Sequence, residues 1–306
     1  MTVLTVHLPG GVWETAGALP HPRLRPGVIG YRGVRLALDR PRTRLEAPIG
    51  AVTLLLGFEE PVRISRPGRP PTTLRSVYSG LSTSPAIGEH GGRISGVEVL
   101  LAPWAAFRLF GTPQGELAGR HVDPEELRDT GELAAALAAL PTWADRFALL
   151  DDVLTRWSEK GTPCSARVVR AWSELVRTGG SMPVGRLARE VGWSVRQLEN
   201  RFREQIGLGP KAAARVLRLQ RARRLLAAGR SQAETAAACG FYDQAHLSSE
   251  FRAMTGCTPG AFTAARLGDA SARSGPPLVD RLRGEATSLV LPPDGAALFS
   301  KTGRVR

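Results

Sequence analysis

The sequence predicts an α+β fold, with a β-rich N-terminal domain over residues 1–160 and an all-α domain over residues 163–267 built from two helix-turn-helix units joined by a linker helix. Three observations carry this prediction. Short β-rich runs punctuated by Gly, Pro and Arg fill the first hundred residues, where period-2 strands are expected. Helical periodicity takes over further along the chain, and the character of the sequence changes near Lys160. From Met182 to Phe262 one unit is then written twice. A chain of 306 residues also exceeds what one core usually organises.

Taken in order, the expected strands are Val3–Leu8, Val28–Leu38, Val52–Phe58, Thr73–Leu81 and Ile94–Leu101. The run ISGVEVLLAPWAAFRLFG from Ile94 to Gly111 is the most apolar, with Trp104, Phe107 and Phe110 clustered after Pro103. It reads first as core or a dimer face, with a ligand pocket as the alternative. A helix is expected from Asp123 to Leu140, with Glu125 and Glu126 suited to the positive end of its dipole. Pro141 opens the next, with Trp143, Phe147, Leu150, Val153 and Trp157 inward. Pro163–Thr178 forms another. Residues 268–306 are rich in Gly, Pro, Ser and Arg without periodicity, the composition of a disordered tail.

The repeat is the most informative feature. LAREVGWSVRQLENRFREQIGLGP runs from Leu187 to Pro210, and TAAACGFYDQAHLSSEFRAMTGCTP from Thr235 to Pro259. Ala188 answers Ala236, Gly192 answers Gly240, Trp193 answers Phe241, Leu198 and Phe202 answer Leu247 and Phe251, and Gly207 and Pro210 answer Gly256 and Pro259. One extra residue precedes the second helix of the second copy. Gly192 and Gly240 fall where a helix must stop and reverse, a place that favours φ > 0. Ser194 and Asp243 are natural N-caps. Leu198, Phe202 and Ile206 make one apolar stripe. Arg196, Glu199, Asn200 and Arg203, at i, i+3, i+4 and i+7, make the opposite, polar ridge, whose groups suit base edges in a major groove. In the second copy Leu247, Phe251 and Met254 face in, while Gln244, Ala245, Ser248 and Ser249 face out with His246 at the margin.

These residues resemble the AraC/XylS family of bacterial transcription regulators. The resemblance covers about a third of the chain and rests on the GxS-x3-L-x3-F-x4-G-x2-P pattern, the GF-YDQAHL-x3-F segment and the TP-x-AF ending, in order. It implies a linker helix at Lys211–Ala228, and base-reading positions at Arg196, Glu199 and Asn200 and at Gln244, Ala245, His246, Ser248 and Ser249. It further implies double-stranded DNA and RNA polymerase as partners, a small-molecule effector or a homodimer contact in the N-terminal half, and a cytoplasmic, nucleoid-associated protein. Many members carry Arg where this chain has Asn200 and Ser249, which implies weaker phosphate or guanine contact, or adenine reading by Asn200.

Charge points the same way. Lys plus Arg number 41 against 28 Asp plus Glu; residues 161–270 carry 17 basic and 8 acidic side chains, net +9, and residues 1–160 carry 18 and 17, net +1. The excess therefore sits with the repeat, where a polyanion would release counterions on binding. Only three of the basic residues are Lys, so GC-rich coding accounts for part of the Arg excess. Enzyme chemistry is not expected. Cys164, Cys239 and Cys257 lack CxxC spacing, no phosphate loop is present, and His7, His21, His90 and His121 are scattered singly, without the spacing of metal ligands. No cofactor or metal is expected, and Glu98 and Arg108 argue against a membrane span. A non-specific, architectural or repair-associated DNA binder is the alternative reading.

Overall fold

In the computed structural model, residues 1–8, 11–264, 279–282 and 285–291 are described. Two antiparallel sheets dominate the N-terminal half. The first runs in the order β1 (Thr2–Leu8), β2 (Gly11–Ala18), β3 (Val28–Leu38), β10 (Arg93–Leu101), β5 (Val52–Gly57), β8 (Val77–Ser79) and β11 (His121–Val122). The second runs β12 (Val279–Leu282), β13 (Glu285–Leu291), β4 (Arg42–Glu46), β9 (Ala86–His90), β6 (Val62–Arg66) and β7 (Arg69–Leu74).

Side chains alternate across a strand, so each strand of the first sheet serves two environments. Val52, Leu54, Leu56, Tyr78, Val97, Val99 and Leu101 pack on one face against α1 (Pro103–Phe110), α3 (Gly131–Ala139) and α4 (Trp143–Glu159). Between them Thr53, Leu55, Val77, Glu98 and Leu100 turn to a cavity whose other wall is the second sheet. Alternation divides Ile94–Gly111: Val97, Val99, Phe107 and Phe110 are core, while Ile94, Glu98 and Leu100 line the cavity.

Several expectations are corrected. Thr73–Leu81 is not one strand, because Leu74 ends β7 in one sheet and Val77 begins β8 in the other, with Ser76 Oγ accepting from Gly57 N at 3.2 Å where the chain crosses over. Asp123–Leu140 is not one helix. A 3-10 turn at Pro124–Glu126 stops, and α3 begins at Gly131. Glu125 closes the break by accepting from the N–H and hydroxyl of Thr130 (2.8 and 3.1 Å), so it staples a loop instead of serving a continuing helix. Within residues 268–306, Val279–Leu282 and Glu285–Leu291 pair with each other and, through β13, with β4 from Ser288↔Glu46 to Leu291↔Thr43. A short hairpin has little stability alone, and the free edge of β4 provides what the tail lacks. The remainder of residues 268–306 lies outside the described residues.

Helix α4 begins two residues after Pro141, at Trp143, with Thr142 Oγ1 as the cap accepting from Asp145 N at 3.1 Å and with Trp143, Phe147, Leu150 and Leu154 buried. Short helix α2 (Gln114–Leu117) and β11 lie between α1 and α3. Beyond residue 160 the chain is helical: α5 (Ala166–Arg177), α6 (Val184–Glu190), α7 (Val195–Ile206), α8 (Pro210–Ala227), α9 (Gln232–Cys239) and α10 (Gln244–Thr255), with residues 259–264 also helical. Among the described residues, no helix is long and apolar enough to cross a membrane.

Candidate nucleic-acid interface

The two units repeat their hydrogen bonds as well as their letters. In the first, α6 ends at a turn where Gly192 adopts φ +69° and Trp193 N–H bonds Ala188 O at 3.0 Å. In the second, Gly240 adopts φ +71° and Phe241 N–H bonds Ala236 O at 3.0 Å. Ser194 caps α7 in a reciprocal box with Gln197: Gln197 N–H donates to Ser194 Oγ (3.2 Å), and Ser194 N–H donates to Gln197 Oε1 (3.0 Å). Asp243 caps α10 by accepting from His246 N–H at 2.7 Å. Gly207 and Gly256 then end the two helices in left-handed conformation, their N–H groups bonded to Arg203 O and Arg252 O.

Each second helix buries the predicted stripe. Leu198, Phe202, Ile206, Leu247 and Phe251 are fully buried, and Met254 nearly so. The first stripe joins Val168, Trp172 and Leu175 of α5, and the second joins Val216, Leu219 and Leu226 of α8. On the opposite side Arg196, Glu199, Asn200 and Arg203 are exposed on α7, as are Gln244, Ala245, His246 and Ser249 on α10; Ser248 is half-buried. Arg203 differs from its neighbours on the ridge, since α2 approaches it and a Cβ at Gly115 would lie 3.1 Å from Arg203 O. The far end of α7 is thus shared with the N-terminal half.

His246 is held at the margin. Its Nδ1 accepts from Tyr242 N–H at 3.2 Å and its ring stands edge-on to Phe241, centroids 5.4 Å apart, which leaves Nε2 to carry the proton of the neutral ring outward. Sequence reasoning missed two features here. Tyr242 stands at the one-residue slip between the copies and is 92% exposed, a large aromatic beside the N-terminus of α10. The signal was the misalignment itself. The other is a bidentate pair, with Arg215 of α8 donating from Nε to Glu250 Oε2 (2.7 Å) and from Nη2 to Glu250 Oε1 (2.9 Å), which ties α10 to the linker. Those hydrogen bonds hold the Glu250 carboxyl below the ordinary carboxylate range. Glu250→Gln is expected to lower stability by about 1 kcal/mol near neutral pH, with the difference from wild type shrinking as pH falls through the folded-state pKa. Equal deficits at about pH 7 and about pH 3 in denaturant melts would show that the ion pair is not the cause.

The remaining candidate groups are placed as follows. His21 accepts from Arg23 N–H at a helical turn, and His90 and His121 line the cavity between the sheets. His7 lies outside the described side chains. Cys164 donates to Gln205 Oε1 at 3.0 Å, and burial pushes its thiol up to about 11. Among the described residues, no three His, Cys, Asp or Glu gather as metal ligands.

A family model described as a helix-turn-helix domain matches residues 187–265. Among solved structures, a transcriptional regulator from Chromobacterium violaceum, of the AraC-type DNA-binding domain-containing proteins, is 32% identical over 36% of this chain and 95% of its own, with a TM-score of 0.32. The DNA-binding domain of AdpA, a global transcriptional factor solved with a target DNA, is 28% identical over 36% of this chain and 100% of its own, with a TM-score of 0.33. ToxT from Vibrio cholerae aligns over 76% of this chain and 98% of its own at 9% identity and a TM-score of 0.46. No curated protein sequence matches the chain. The repeated hydrogen-bonded turns, the paired polar ridges and the 32% identity across nearly all of the Chromobacterium domain lead to one conclusion: the chain belongs to the AraC-type DNA-binding transcription regulators.

Proposed function

We propose that the chain is a sequence-specific regulator whose helices α7 and α10 enter successive major grooves on one face of the duplex, with α8 setting their separation. The observation that carries this reading is the pairing of two outward polar ridges on two identically placed, side-chain-capped helices. Arg196, Glu199 and Asn200 read bases from the first helix, and Gln244, Ala245, His246, Ser248 and Ser249 from the second, while Arg203 lies at the border with α2. Asn200 suits adenine, since its amide can donate and accept at once. The clustered positive charge adds salt-dependent affinity for any duplex. RNA polymerase is the downstream partner in this reading.

Selection of bound duplexes from a random pool at two salt concentrations tests it. The expected product is a motif with two half-elements about one helical turn apart, retained at the higher salt. Binding without an enriched motif, collapsing as salt rises, would instead make the protein an architectural binder. On the selected duplex Arg196→Ala is expected to cost about 1 to 3 kcal/mol and to relax preference at one base pair. Equal loss on every sequence would reassign Arg196 to a phosphate.

The same proposal gives the N-terminal half a sensing role. Its support is the loop at residues 47–51, which belongs to two places. Ala47, Pro48, Ile49 and Ala51 wall the cavity. On its other side, Gly50 N–H donates to Gln220 Oε1 of α8 at 2.8 Å, and Pro48 O accepts from Arg223 Nη2 of α8 at 3.1 Å. A Cβ at Gly50 would come within 2.6 Å of Leu217 on the same helix. Anything that reshapes the cavity wall therefore presses on the helix that sets the spacing of the two readers, and this contact is the route by which a small molecule would alter DNA binding.

A further inference from the structure

The cavity between the sheets measures about 200 Å³ and is lined by three arginines, two carboxylates and two histidines among apolar side chains. Its charges are unevenly matched. Glu98 pairs with Arg32 at 3.0 Å and Glu46 with Arg44 at 3.4 Å. Arg66 pairs with no carboxylate among the described residues. Its Nη2 donates to the hydroxyls of Ser82 and Ser84 and to Ser84 O, partners that orient the guanidinium without neutralising it. A half-buried cation with only neutral partners is costly unless an anion joins it.

Beside Arg66 lies His121, whose Nδ1 is 2.9 Å from Ser79 Oγ and whose buried Nε2 has no partner. With Ser79 donating to Nδ1, Nε2 carries the proton of the ring. His90, 6% exposed on another part of the wall, accepts from Gly92 N–H at Nδ1, so its Nε2 is likewise an N–H without a partner. Burial, reinforced by nearby arginines, pushes both rings down to about 4, so both are neutral near neutral pH.

The strand register then lays out a direction. His121 pairs with Ser79 and Ser79 with Thr53; two residues further on, Val77 pairs with Leu55. Across the cavity Arg66, Ile64 and Val62 follow one another at two-residue spacing on β6, and all three line the cavity. One end therefore offers donors with surplus positive charge, and the path leading away from it is apolar.

We infer that this cavity binds a small organic acid, with its carboxylate between Arg66 and His121 and its compact apolar body along Leu55, Val62, Ile64 and Val77. The inference rests on the sensing role proposed above and gives that role a ligand class. Fluorine NMR of the full chain without DNA tests it, with 4-fluorobenzoate and its neutral counterpart 4-fluorobenzyl alcohol as probes. The acid is expected to bind saturably and about tenfold or more tighter than the alcohol, the size of one charge-assisted contact. Arg66→Gln should reduce the acid to the level of the alcohol, while Arg66→Lys, which keeps the charge, should stay within about threefold of wild type. Equal binding of acid and alcohol, no saturable binding of the acid, or indifference to both substitutions in a variant that melts normally would overturn the assignment. If the acid binds as expected but leaves affinity for the selected duplex unchanged, the binding site stands and the sensing role falls.

Discussion

Gly180→Ala is expected to destabilise the chain by about 3 kcal/mol or more. Gly180 follows α5 at φ +76°, and its N–H bonds Leu175 O at 2.8 Å. An alanine there would first meet the left-handed backbone, which costs an L-residue about 1 to 2 kcal/mol. Its Cβ would also lie 2.1 Å from Ala214 O and 2.9 Å from Ala214 C, both backbone atoms of α8. Neither can swing aside, so helix α8 itself must move, and overpacking of this kind adds about 1 to 3 kcal/mol. Gly240→Ala separates the two causes. Gly240 has nearly the same φ, +71°, but nothing within 4 Å of its Cβ position. Only the backbone cost of about 1 to 2 kcal/mol is expected there. Equal losses for the two variants in urea melts would mean that the approach of the α5 turn to α8 contributes nothing.

Phe251→Ala is expected to cost about 3 to 5 kcal/mol, the range for emptying a fully buried aromatic site. Phe251 has no exposed surface, meets Phe262 edge-on with centroids 5.5 Å apart, and belongs to the cluster that joins α10 to Val216, Leu219 and Ala222 of α8. The first unit draws on a different cluster, built around Trp172, Leu187 and Phe202. The loss should therefore be local to the second reader. Footprints on the selected duplex are expected to keep the first half-element and lose the second, with affinity falling toward that of a single reader. Protection of both halves at wild-type affinity would refute the division into two separately packed units.

The repeat was legible because its two periods coincide. Glycine at the turn, a cap two or three residues on and apolar positions every three or four residues all describe one local object, and local rules are written in neighbouring letters. Hence Gly192 and Gly240, Ser194 and Asp243, and the buried stripe of each second helix are where the spacing puts them. Several N-terminal strands escaped the same kind of reading. Arg42–Glu46 and Ala86–His90 turn Arg44, Glu46, Gly88 and His90 toward the cavity, so the apolar alternation that marks a strand is missing from them, and in Val62–Arg66 it is limited to Val62 and Ile64. Gly11–Ala18 and Arg69–Leu74 fail the pattern for a related reason: small residues in the first, and largely exposed residues in the second.

Family and fold class, the two helix-turn-helix units and their outward residues were determined by the sequence alone, because helix caps, turns and amphipathic stripes depend on residues within a few positions of each other. Tertiary structure alone decided the rest. It brought His90, His121 and Arg66 into one cavity from three separate strands, set Arg215 against Glu250 across 35 positions, joined the tail to β4, and placed residues 47–51 between the cavity and α8. Such contacts depend on which strand lies beside which and on what the far wall carries, and no spacing along one chain encodes that.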